Sequence, residues 1–197
     1  MLPQVDKTPA DKVLVDKVLV DKLPGDKMPR NLQAMSDYWR GLAGGATPAR
    51  DQFDPRAIKP LLPYVMLAEL ENQPFRVKYR LTGTAVDAAT GLCLTGRYLD
   101  EFAAGKTADA VEQLQDCYKQ CSETGQPRLG HYNWLSVAGY PIHLWFGLFP
   151  LKVDGIVRQC LAIEDYGNLG GAGRLSRWSG DDFEQHDNRR RGVTWAR

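Results

Sequence analysis

Along this chain the spacing of apolar residues changes several times, and each change marks an element. Leu32, Met35, Tyr38, Trp39 and Leu42 recur at three- and four-residue intervals, which predicts a helix with one apolar face. Gly41, Gly44 and Gly45 predict its end. Asp54 before Pro55, with Ile58 and Leu61 beyond, predicts a second short helix capped by Asp54 and stopped near Pro63. The period then shortens to that of a strand. Tyr64 to Leu70 is mostly apolar, and after the Asn72-Gln73-Pro74 turn Val77, Tyr79 and Leu81 alternate with Arg76, Lys78 and Arg80. Two such runs around a short turn predict a hairpin. The basic stripe reads either as an anion site or as the wet face of an edge strand, and the second reading is preferred.

Gly83 to Phe102 reads as short helical turns separated by Gly91 and Gly96. Thr107 to Thr124 predicts the longest helix, with Val111, Leu114, Tyr118 and Cys121 on one face and Gly125 closing it. Three strands come next, over 128–137, 142–151 and 156–163, the last two joined by a Val153-Asp154-Gly155 turn. Between the first two lies a tight turn, Ala138 to Pro141. Strands and helices segregated in this way predict an α+β fold: an antiparallel sheet with helices on one face. In the 142–149 strand both faces are largely apolar. Ile142, Leu144, Phe146 and Leu148 form one, and His143, Trp145, Gly147 and Phe149 the other. One face must line the core, so the other needs cover. The Leu32–Leu42 helix is expected to supply it, within the chain or in a second subunit. A homodimer packed through Tyr38, Trp39, His143, Trp145 and Phe149 is the expectation.

The ends of the chain obey different rules. Asp-Lys recurs at 6–7, 11–12, 16–17, 21–22 and 26–27, a five-residue period that fits neither helix nor strand. Residues 1–30 therefore read as a solvated tail whose charges keep its Val-Leu-Val triplets apart. Residues 31–63 carry the flanking helices and 64–164 the core. Residues 165–197, rich in Gly, Asp and Arg, read as a flexible tail. With 25 Lys and Arg against 24 Asp and Glu, the net charge of +1 gives no bulk attraction to nucleic acid. No apolar run approaches the roughly 18 residues of a membrane span, and the N-terminus has no secretory pattern. A cytoplasmic protein is expected. Its four cysteines, Cys93, Cys117, Cys121 and Cys160, are expected to be reduced thiols serving as small apolar residues.

The motifs DYWRGL (37–42), PARDQFDPRAIKPLLPYVMLAEL (48–70), YRLTGTAV (79–86) and GLCLTGRYLDEF (91–102) occur in an order that resembles a bacterial, stand-alone PAS-like family, over about residues 32–163. Asp51 and Asp54 fall where helix N-termini need acceptors, and Gly83 and Gly91 where the chain turns tightly. The resemblance implies a five-stranded antiparallel sheet whose concave face, with the short helices, encloses a small pocket. It also implies signalling through the sheet and flanking helices to a partner protein. The expected lining is Tyr79, Leu81, Phe102, Leu114, Tyr118, Trp134, Leu144 and Phe146, facing an unidentified small molecule. In the alternative the pocket is filled by side chains and the domain is an interaction adaptor.

The chemistry of other classes is not in evidence. Cys117 and Cys121 share a helix face, but no companion ligands stand at metal-binding spacing. His131, His143 and His186 are scattered, and the long helix has no histidine to hold haem. The reactive cysteine motif of a flavin photosensor is also missing. No nucleophile elbow or phosphate loop occurs. No metal, haem or flavin is expected, and no enzymatic activity.

Overall fold

Each strand's alternation divides its side chains between two hydrophobic cores, one on either side of a single sheet. The computed structural model describes residues 28–103, 107–135 and 141–166, and of 133–135 and 141–143 the backbone alone. Helices α1 (Arg30–Leu42), α2 (Thr84–Thr90) and α3 (Ala108–Thr124) accompany strands β1 (Val65–Asn72), β2 (Phe75–Thr82), β3 (Arg128–Leu135), β4 (Pro141–Val153) and β5 (Ile156–Asp165). The strand order is β2-β1-β5-β4-β3, with every neighbouring pair antiparallel. This is the α+β fold expected from the order of elements. The Asp-Lys tract, the segment beyond 166 and residues 138–140 of the Ala138–Pro141 turn lie outside the described residues.

On the first face, Met66, Ala68 and Leu70 of β1, Val77 and Tyr79 of β2, Leu144, Phe146 and Leu148 of β4, and Cys160 and Ala162 of β5 meet a roof of helices. The roof contributes Val86 from α2, Leu99 and Phe102 from a 3₁₀ turn at Leu99–Phe102, and Val111, Leu114, Tyr118 and Cys121 from α3. On the second face, Val65, Phe149, Leu151, Leu161 and Ile163 pack against Leu32, Met35 and Trp39 of α1 and against Ile58 and Leu61.

Those last two residues belong to Pro55–Tyr64, which is 3₁₀ rather than α-helical. Pro60 and Pro63 withhold backbone donors there, so an α-helical ladder cannot form. Asp54 does cap this segment, accepting from Arg56 N–H at 2.9 Å. At the preceding turn it is Gln52, not Asp51, that reaches back, accepting from Ala49 N–H at 2.8 Å.

Two glycines have identifiable reasons. Gly83 has an ordinary φ, but a Cβ there would lie 2.3 Å from the carbonyl oxygen of Pro63, so its role is close approach rather than a turn. Gly125 closes α3 at φ +65°, and a Cβ would lie 2.4 Å from the Thr47 hydroxyl, which donates to the Gly125 carbonyl at 2.7 Å.

Strand β2 departs from simple alternation. The register with β1 slips between Leu67 and Ala68: Leu67 faces Leu81 while Ala68 faces Tyr79, leaving Arg80 as an extra residue. A one-residue slip carries the side chains past it to the other side of the sheet. Leu81 is consequently 54% exposed and does not line the roofed core, contrary to the sequence expectation. The basic stripe is paired rather than open to anions. Arg76 makes a two-pronged ion pair with Asp100 at 2.7 and 2.8 Å and stacks on Tyr98, and Arg80 reaches Glu69 at 2.9 Å.

Candidate functional site

Strand β5 carries the alternating sequence Cys160, Ala162, Glu164 on its roofed face, so a carboxylate succeeds two small residues in the core. Glu164 is only 6% exposed. It stands opposite Phe146 on β4, and the Tyr132 ring packs on Phe146 at 5.7 Å between centroids. The Tyr132 hydroxyl donates to Glu164 Oε1 at 2.6 Å, and the Tyr166 hydroxyl donates to Oε2. Tyr132 comes from an edge strand and Tyr166 from the first position beyond β5. The carboxylate therefore ties the end of the described chain to the far side of the sheet.

Deeper in the same core, the phenols of Tyr79 and Tyr118 act on each other, and both feel the charge of Glu164. Burial pushes the Glu164 carboxyl above its ordinary value, against the two phenol hydrogen bonds, which favour the anion. Burial likewise raises Tyr132, Tyr166, Tyr79 and Tyr118 above the usual phenol range. From the roof, Asp87 of α2 acts on Tyr166. Its own carboxyl is raised by burial, against the opposing effect of the Leu94 backbone, and its Oδ1 is buried without a hydrogen-bond partner among the described residues. The arrangement offers hydrogen-bond acceptors, aromatic faces and negative charge in a dry setting. Among the described residues it brings together no adjacent nucleophile and base.

Of the residues expected to line a pocket, Tyr79, Phe102, Leu114, Tyr118, Leu144 and Phe146 are brought into one buried cluster. Trp134 pairs with Ile142 in the β3–β4 ladder, and its side chain lies outside the described residues. Sequence reasoning missed Glu164, Tyr132 and Tyr166. A legible signal existed for the first. A glutamate at the same parity as Cys160 and Ala162, at the end of the apolar run Cys160–Ile163, predicts a buried charge.

The residues expected to form the covered sheet face divide differently. Trp39 is 1% exposed and Phe149 fully buried, their rings 6.4 Å apart, and Trp39 Nε1–H donates to the Pro150 carbonyl at 2.9 Å. The helix thus covers this face within the chain, and these two side chains are not available to a second subunit. Tyr38 is half-buried, its hydroxyl bonded to the backbone of Asp54, and Trp145 packs against His131 at 4.8 Å. His143 pairs with Asn133, and its side chain lies outside the described residues.

Cys117, Cys121 and Cys160 are buried free thiols, whereas Cys93 is exposed. Burial raises Cys117 to about 11, and burial, with Cys121 beside it, raises Cys160 well above the usual thiol value. Among the described residues, no group of three His, Cys, Asp or Glu side chains is placed to hold a metal ion, and no helix is long and apolar enough to cross a membrane.

A family model described as "PAS domain" matches residues 27–154. No curated protein matches the sequence. Among solved structures, the N-terminal domain of a diguanylate cyclase with PAS/PAC sensor from Marinobacter aquaeolei is 14% identical, with 52% of this chain and 94% of that chain covered and a TM-score of 0.41. The light-state structure of the blue-light photoreceptor Aureochrome1 LOV is 11% identical, covering 68% of this chain and 95% of that chain at a TM-score of 0.41. A light-oxygen-voltage domain studied with a flavin analogue is 13% identical, covering 68% and 90% at a TM-score of 0.43. Identities this low say nothing of ligand or partner.

Proposed function

The chain belongs to the PAS-domain family, and on that basis we propose that it is a sensory domain of a bacterial regulatory system, binding a small molecule in its roofed core and signalling to a partner protein. The family membership supports a general sensory or regulatory role. The observation that carries the finer reading is Glu164, a carboxylate held in the dry core by Tyr132 and Tyr166. A core needed only for stability gains nothing from a buried charge, which costs more than an apolar residue of similar volume. Perturbed groups of this kind collect at functional sites.

In this reading the domain is not an enzyme, carries neither haem nor flavin, and acts in the cytoplasm as a homodimer. With Trp39 and Phe149 occupied inside one chain, the subunit contact uses other surface. A ligand shifts the domain only by its differential affinity for two states. Tyr166 is the natural reporter, because its phenol ends on the same carboxylate.

Native mass spectrometry of the purified chain tests the proposal. A retained small molecule in substoichiometric or full occupancy is the expected result. A bare protein, with no mass gained from a cellular small-molecule extract, would leave the side-chain-filled adaptor as the better account.

A further inference from the structure

Among the described residues no cation acts on the acceptors around Glu164; the Arg128 side chain, whose Nε is buried without a partner, acts on Cys117 instead. Among the described residues, the buried polar or charged side chains are Ser36, Thr90, Glu164 and Asp165, with no Lys, Arg or His. The ion pairs of Arg56, Arg76, Arg80 and Arg97 all lie at partly or largely exposed side chains. Among the described residues, Glu164 therefore holds its place with two phenol donors and no positive partner. A carboxylate offers about four acceptor positions, so the phenols leave roughly half of them open.

The surroundings are suited to one kind of guest. Tyr79, Tyr118, Tyr132, Phe146 and Tyr166 share the cluster that contains the Glu164 site. Ring faces carry the negative end of a quadrupole and attract cations, most strongly when water is excluded. On the roof side, Asp87 adds a second carboxylate, with Oδ1 buried and unpartnered among the described residues. An anion would be repelled by both carboxylates, and a neutral guest would leave the core charge uncompensated.

We propose that the ligand of the roofed core is an organic cation, a protonated or quaternary amine, with Glu164 as its counter-ion and the surrounding tyrosine faces as its cage. This rests on the sensory reading above and names the ligand class of that same site. Pairing with Glu164 would weaken the hold of the carboxylate on Tyr132 and Tyr166, which gives the occupied and empty states different contacts at the end of β5.

Calorimetric titration and thermal unfolding of the full chain with choline, and with its uncharged isostere 3,3-dimethylbutan-1-ol, test the proposal. Choline should bind and raise the unfolding midpoint while the isostere does neither. Glu164→Gln, which keeps shape and removes charge, should weaken choline at least about tenfold, a change of roughly 1.4 kcal/mol, with the fold intact by circular dichroism. Should Glu164→Gln fail to fold, Tyr132→Phe and Tyr166→Phe serve instead, each expected to alter choline affinity. Equal binding of choline and the isostere would sink the cation while leaving a sensory pocket in place. So would a retained molecule, identified by native mass spectrometry, that bears no amine. No response to either probe, together with a bare protein, would remove both readings.

Discussion

The two faces of the sheet solve the same packing problem with different materials. The α1 face is closed mainly by aromatic and aliphatic side chains, with Trp39 Nε1–H donating to Pro150 O and a single Gln159 Oε1 left buried without a partner among the described residues of β5. The roofed face buries comparable apolar residues yet keeps Glu164 and four phenols among them. On the function proposed above, the first is a seal and the second a compartment. The first is built to exclude water, whereas the second retains a group whose charge has to be matched by a proton or by a guest.

The largest blow to that contrast comes from the seal. Trp39→Ala leaves a cavity beside Phe149 and an unpaired Pro150 carbonyl, and should cost about 3–5 kcal/mol of unfolding free energy in denaturant titrations. If the sheet face were instead covered by a second subunit, the loss would depend on protein concentration, and it should not.

On the compartment side, Tyr132→Phe removes a charge-assisted donor to Glu164. The expected loss is about 1.5–3 kcal/mol at neutral pH, and less in acid, where the carboxyl is protonated. A loss independent of pH would mean that the phenol contributes packing alone.

Acidity itself sharpens the comparison. Because burial holds the Glu164 carboxyl above its ordinary value, the folded chain binds more protons than the unfolded chain between the two values. That contribution is fully present below the ordinary carboxyl range and is lost as pH rises through the folded value. Asp54, Asp100 and Glu101 are lowered by their partners and slope the other way. The informative quantity is therefore the difference between the wild type and Glu164→Gln. The variant should gain relative stability as pH rises over that window, and a flat difference would place Glu164 outside the core.

The smallest effect is expected at the wet face of β2. Arg76→Ala breaks an ion pair and a stacking contact that are both partly exposed. Its change in unfolding midpoint should be close to replicate scatter and should shrink further in salt. A large, salt-insensitive loss would show the Arg76–Asp100 pair to be structural.

Much of this was readable along the chain. The three- and four-residue spacing of Leu32, Met35 and Trp39 placed α1, and the parity of Leu144, Phe146 and Leu148 against Trp145 and Phe149 separated the two cores correctly. Asp154 at φ 53° and then Gly155 at φ 81° form the turn that their pairing predicted. Leu81 escaped the pattern because a bulge is a property of two strands, and neither sequence alone records the slip. Glu164 was legible by parity, but the identities of its donors were not. Tyr132 and Tyr166 are 34 positions apart, and only the order β5-β4-β3 brings them to one carboxylate.

Local periodicity and capping, which depend on neighbours three or four positions away, determined the elements, their order and which side chains face inward. Register, long-range donors and the choice between covering a face within the chain or with a second copy depend on how distant segments meet. Tertiary structure alone decided that α1 lies on the β4–β5 face of its own chain, that Leu81 turns outward, and that a glutamate in the core is held by two tyrosines. Each is settled by packing and by the cost of leaving a polar group unmatched, which no stretch of sequence contains by itself.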